Sequence, residues 1–171
     1  MHLQVQLHYG ADAPPVAAML ANPDFGLARV AASGAIAHQV DVVGASDGAF
    51  TVTTRRSMPT DEIPANIRAF VGTSLEVRQV EAWGKPGPEG RRGTVVVEIS
   101  GAPVRLTGTT SLQPDGAHAS LLTYAGEMKA AVPLFNAAIE VAAARAVRSA
   151  LVAEQDAGNA WLDAHPRGTT A

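Results

Sequence analysis

The chain has 171 residues, 47% of them hydrophobic and 17% charged, a balance that can bury a core and that excludes a disordered chain. Its formal net charge of -3 argues against a nucleic-acid binder, whose affinity comes from basic patches meeting phosphate. The absence of cysteine excludes disulfides and thiolate chemistry, and no run of about 18 apolar residues is present to cross a membrane.

Leu3, Val5 and Leu7 alternate with polar residues, the period-two pattern of a half-buried strand. This N-terminal stretch lacks the basic segment and apolar run of a secretion signal, so a cytoplasmic protein is expected. Asp12 ahead of Pro14-Pro15 marks a helix start, Asn22-Pro23 interrupts that helix, and a second short helix is expected from Asp24 to Ala32. A meander follows. Its first two strands, Ala35–Val43 and Ala49–Ser57, are joined by a turn from Gly44 to Gly48. Met58–Val71 reads as a loop plus a short helix ended by Gly72. Ser74–Trp83, Gly93–Ile99, Val104–Leu112 and His118–Met128 read as four more strands, with Pro- and Gly-rich connectors. The basic pairs Arg55-Arg56 and Arg91-Arg92 read as solvated strand-end and loop charges.

From Val132 to Leu162 runs an alanine-rich amphipathic stretch. As one helix it would have roughly 30 residues and a length of about 45 Å. On a helical wheel Phe135, Ile139, Ala142, Ala143, Ala146, Ala150, Ala157, Ala160 and Trp161 share one side. Glu140, Arg145, Arg148, Gln155, Asp156 and Asn159 take the rest. Pro133 suits its first turn, and Gly158 weakens it by about 1 kcal/mol relative to alanine, so a bend in the last turns is expected. The order is strand, two short helices, six strands, long helix. Hairpin connections make this an α+β layer architecture, a curved antiparallel seven-stranded sheet wrapped around a long C-terminal helix. One domain over residues 1–164 with a disordered tail at 165–171 is expected.

These elements resemble the START-like, helix-grip (SRPBCC) superfamily of polyketide-cyclase and Bet v 1-like proteins. Within it the chain is similar to an uncharacterised actinobacterial family of unknown function. The resemblance is carried by Met58-Pro59-Thr60-Asp61-Glu62-Ile63-Pro64, Phe70-Val71-Gly72, Leu75-Glu76-Val77 through Glu81-Ala82-Trp83, and Gly101-Ala102-Pro103-Val104-Arg105. Val132-Pro133-Leu134 and Gly158-Asn159-Ala160-Trp161-Leu162 complete it, whereas Phe135-Asn136-Ala137-Ala138 stands where the family pattern has a glycine-rich step. The resemblance implies the helix-grip fold and a hydrophobic ligand held between sheet and C-terminal helix. It does not choose among the cyclases, dehydratases and carriers of the superfamily.

Strand parity then nominates the lining. Val52, Thr54 and Arg56 share a face with Phe50; Val77, Gln79, Glu81 and Trp83 share one with Leu75; Leu106, Gly108 and Thr110 share one with Val104 and Leu112. Thr123 and Glu127 share a face with Leu121, although the opposite parity would turn Leu122, Tyr124 and Met128 inward. Val97 from its own strand, with Phe135, Ile139, Ala142, Ala143 and Ala146 from the helix, completes the expected ligand-binding set. A buried carboxylate must pair or take up a proton, and Arg56 with Glu81 or Glu127 is the expected pair. A solvent-exposed strand-end salt bridge without ligand role is the favoured explanation of that pair. Trp83 reads as core or rim packing, and His38 as a core or edge histidine.

His2, His8, His38, His118 and His165 have no metal-ligand spacing, and Walker, dinucleotide and nucleophile-elbow motifs are missing, so neither metal nor cofactor is expected. The leading expectation is a noncatalytic binder of a small hydrophobic or amphipathic molecule, such as a lipid or polyketide-like compound. The alternatives are a cyclase- or dehydratase-like enzyme using Glu81 and Glu127, and a dimerising interaction module, a homodimer.

Overall fold

Alternation of apolar and polar side chains produces seven strands that form one sheet in the order β1-β7-β6-β5-β4-β3-β2, every neighbouring pair antiparallel. The computed structural model describes residues 1–60, 68, 73–100, 103–131 and 136–166. The strands are β1 (His2–Tyr9), β2 (Ala37–Gly44), β3 (Phe50–Pro59), β4 (Ser74–Trp83), β5 (Arg91–Ser100), β6 (Val104–Pro114) and β7 (Ser120–Ala130). Helices α1 (Ala13–Leu20) and α2 (Pro23–Ala32) follow β1, and α3 (Asn136–Ala164) closes the chain. The expected architecture is therefore present, with strand bounds within a few residues of those read from the pattern. The short helix expected before Gly72, the helix start at Pro133 and Phe135, and most of the tail lie outside the described residues.

Local chemistry fixes the helix starts. Asn22 caps α2 by accepting the Asp24 amide at 2.8 Å through Oδ1, and Pro23 occupies a first-turn position where its missing N–H is harmless. Asp12 sits at the N-cap of α1 without a side-chain cap bond. Gly108 of β6 faces Gly126 of β7 in register. A Cβ added at Gly108 would stand 2.2 Å from the Ala125 carbonyl oxygen, so only glycine permits so close an approach of the two strands.

The concave face carries the core. Leu3, Leu7, Tyr9, Phe50, Trp83, Leu112, Leu122 and Met128 of the sheet meet Val16, Met19, Leu20 and Phe25 of the short helices. Each such side chain contributes about 1.5–3 kcal/mol when removed from water. Phe25 and Trp161 meet edge to face at 5.7 Å, joining α2 to the end of α3.

The orientation of α3 corrects the helical wheel. Ala144, Leu151, Glu154 and Gly158 are its buried residues, with Val147 packed against the core. Ala142 and Ala143 are half-buried and Ala146 is exposed. The buried stripe is thus turned by about 100°, one residue step, from the alanine-rich one. The polar side of α3 is tied to β1. Arg148 donates to the Gln4 carbonyl at 3.0 Å, Gln155 accepts the His8 amide at 2.7 Å, and Asn159 exchanges bonds with Gly10 and His8 at 3.1 Å each. The polar face of α3 thereby satisfies the free edge of β1, which otherwise would expose unpaired backbone groups. The helix leans on β1, β7, α1 and α2 rather than lying across the middle of the sheet. Gly158 does not bend the helix out of the fold; it lets the Tyr9 ring come close, and α3 continues to Ala164.

Candidate functional site

Because α3 leans to one side, a space remains between it and strands β3 to β6. It is an open cavity of about 120 Å³. Val77, Val95, Val97, Ile99 and Leu106 supply its sheet wall, and Ala143, Ala146, Val147, Ala150 and Leu151 supply its helix wall. Ala146 lines the cavity although it is exposed, which sets the mouth beside the alanines. The walls are aliphatic; the polar lining comes chiefly from Arg29, Arg56, Gln79, Tyr124 and Glu154.

Those polar residues form one network. Arg29, on the buried face of α2, places Nη1 3.1 Å from Glu81 Oε1 and 3.0 Å from Glu154 Oε1. Glu81 is fully buried and also accepts from Gln79 Nε2 at 2.6 Å, Trp83 Nε1 at 3.2 Å and the Tyr124 hydroxyl at 3.3 Å. The same hydroxyl lies 3.4 Å from Glu154 Oε1. Arg56 Nη2 donates to Gln79 Oε1 at 3.3 Å. A phenol has one proton, so Tyr124 can donate to only one of the two carboxyl groups at a time.

Burial shifts the titration of this network. Removal from water raises the pKa of Glu154, against the attraction of Arg29, and thereby favours the neutral acid. Burial opposes the charge of Arg29, but Glu81 and Glu154 outweigh it and hold its pKa well above the ordinary value. Arg56 is lowered, first by burial and then by the neighbouring Arg29 charge. Burial, reinforced by Glu154, pushes the Tyr9 and Tyr124 phenols well up.

Among the residues expected from sequence, Arg56, Val77, Gln79, Val97, Leu106, Ala143 and Ala146 are brought together around the cavity. Glu81 and Trp83 lie buried behind Gln79, and Val52 and Thr54 are buried deeper in the same sheet face. Gly108, Ile139 and Ala142 are not among the lining residues, and Phe135 lies outside the described residues. Thr123 is a correction: Leu122, Tyr124 and Met128 are buried together with Ser120 and Ala130 on one face of β7, so Thr123 and Glu127 belong to the other face. Glu127 lies instead near solvent, 3.8 Å from His2. The expected pairing is corrected too, because Glu81 pairs with Arg29 and Arg56 reaches Gln79. His38 is exposed on the edge strand β2, and Trp83 stacks on Phe50 at 6.1 Å.

Arg29 and Glu154 escaped the sequence reading. A signal existed for both: Arg29 follows the buried Phe25 by four residues, and Glu154 follows Leu151 by three, spacings that share a helix face. No group of three metal-binding side chains occurs among the described residues. No described helix is long and apolar enough to cross a membrane.

The sequence matches, over residues 4–162, the family described as a protein of unknown function, DUF2505. The curated proteins give no match. Among solved structures the chain is similar to a START superfamily protein from Mycobacterium smegmatis, with TM-score 0.58 and 10% identity over 94% of this chain and 98% of that one. It is similar to the Zhui aromatase/cyclase from Streptomyces sp. R1128, with TM-score 0.57 and 16% identity over 100% and 98%. It also resembles norcoclaurine synthase from Thalictrum flavum in complex with dopamine and hydroxybenzaldehyde, with TM-score 0.58 and 17% identity over 98% and 88%. At these identities the likeness establishes the START-like helix-grip fold alone.

Proposed function

We propose that this chain, which belongs to the DUF2505 family of proteins of unknown function, binds a small amphipathic molecule between α3 and the sheet. The observation that carries the reading is an aliphatic cavity, open beside Ala146, whose polar lining is a connected cluster of Arg29, Arg56, Gln79, Tyr124 and Glu154. Apolar walls with a few convergent polar groups are the composition of ligand pockets. The START-like neighbours, one of them solved with two small aromatic compounds, support it by analogy of fold.

Size narrows the guest. A dry cavity of about 150 Å³ holds a benzene ring. The 120 Å³ here therefore suits a body of one ring or a short chain, and anything longer must emerge past Ala146. Native mass spectrometry of gently purified protein, with displacement of an environment-sensitive dye by short amphiphiles, tests this. Bound mass and saturable displacement are expected; their repeated absence removes the reading.

A second reading, proton transfer on the bound molecule, is favoured by the raised pKa of Glu154 beside Tyr124. Glu154 takes the place first given to Glu127, which lies near solvent. This reading requires ligand protons to exchange with solvent deuterium on the wild type and not on Glu154→Gln.

A further inference from the structure

The hydrogen-bond inventory of the cavity's polar lining does not close. The contacts from Arg29 to Glu81 and Glu154 run through Nη1, while its Nη2, also buried, has no hydrogen-bond partner among the described residues. Glu81 has little capacity left: its two oxygens already face Gln79, Arg29 and Trp83, with Tyr124 as a fourth donor when its proton is not turned to Glu154. Arg56 makes one long bond to Gln79 and is in ion-pair contact with no carboxylate among the described residues. Both guanidiniums line the same cavity. Two guanidiniums therefore face the cavity with donors to spare.

The charges are unevenly paired. Glu81 and Glu154 both sit on Arg29, whereas Arg56 brings to the cavity a positive charge with no carboxylate of its own among the described residues. The cavity's occupant should supply acceptors, carry one negative charge and bring no hydrogen of its own. A hydroxyl or primary amide would turn a donor toward donors. A carboxylate is acceptor-only, planar and matched to guanidinium forks.

We propose that the amphipathic ligand is a small monocarboxylic acid whose carboxylate is received by Arg29 Nη2 and Arg56, with its apolar body on Val77, Val97 and Leu106. This rests on the binding function argued above and names the chemical class of the guest.

Calorimetric titration with hexanoate, octanoate, benzoate and phenylacetate, each beside its own primary amide, tests it on the wild type and on Arg56→Gln. Arg56 is only partly buried, and a thermal melt verifies that the variant is folded. A hydrogen-bonded charge partner is worth roughly a factor of ten or more, so the acids should bind about tenfold or more tighter than their amides. Arg56→Gln should erase most of that preference by weakening the acids far more than the amides. Equal binding of acids and amides overturns the carboxylate assignment but leaves the binding function standing. A preference that survives Arg56→Gln overturns the role given to Arg56. If neither series binds, the binding function fails and this inference falls with it.

Discussion

Arg29 and Glu154, separated by 125 residues, meet at 3.0 Å beneath α3, and both are almost wholly removed from solvent. The bond joins α2 to α3, and Glu81 of β4 shares the same Arg29 nitrogen. One guanidinium therefore ties two helices to the sheet. Removing one partner of a buried pair strands the other, which typically costs 3–5 kcal/mol. Arg29→Met should destabilise the protein by about that amount, read from urea unfolding. Glu154→Gln should cost about 1 kcal/mol or less, since the amide resembles the neutral acid that burial favours. Equal losses in the two variants would contradict this account of the network.

The pH dependence follows from the direction of the Glu154 shift. Its carboxyl starts from an ordinary value of 4.5 and is raised by burial in the folded protein. Between those two values the folded state holds a proton that the unfolded state has released. Stability from this group therefore falls as pH rises through that window, and it is retained below 4.5. The wild type should lose stability relative to Glu154→Gln as pH climbs from 4.5 toward neutrality. Unfolding free energies of the two proteins at a series of pH values give the difference directly, and a flat difference would refute the shift.

Gly158 separates helix propensity from packing. Alanine would favour the helix by about 1 kcal/mol. Its Cβ, however, would stand 2.6 Å from Tyr9 Cε1 and 3.2 Å from Met19 Cε. Forcing an extra carbon into a filled core costs about 1–3 kcal/mol, so Gly158→Ala should be neutral to destabilising overall. A clear rise in melting temperature would show that Tyr9 moves aside freely.

Ala146 offers the converse case, a position that touches the cavity and little else. Ala146→Phe would narrow the mouth from the exposed side of α3. It should weaken ligand or dye binding by about tenfold while changing stability by about 1 kcal/mol at most. Unchanged affinity in a folded variant would place the entrance elsewhere.

The strand and helix order was legible because alternation, proline and glycine act locally. Gln79 and Glu81 could be assigned inward from parity on β4, since they share their face with Leu75, Val77 and Trp83. The same device failed on β7, where Leu121 and Leu122 are adjacent and either parity presents an apolar face. On α3 the wheel ranked residues by apolarity and left Glu154 unassigned, yet Arg29 and Tyr124 satisfy that carboxyl inside. The bonds of Arg148, Gln155 and Asn159 to the edge of β1 then hold the rotation.

The sequence by itself determined the antiparallel seven-stranded sheet with its long C-terminal helix, the small-residue stretch of α3 and an inward Glu81. Those features depend on neighbours a few positions apart. Tertiary structure alone decided that the alanines flank the mouth of the cavity instead of capping the sheet, and that Arg29 is the partner of Glu81 and Glu154. The physical reason is that burying a charge is tolerable only where distant elements deliver its counter-charge and hydrogen bonds to the same point.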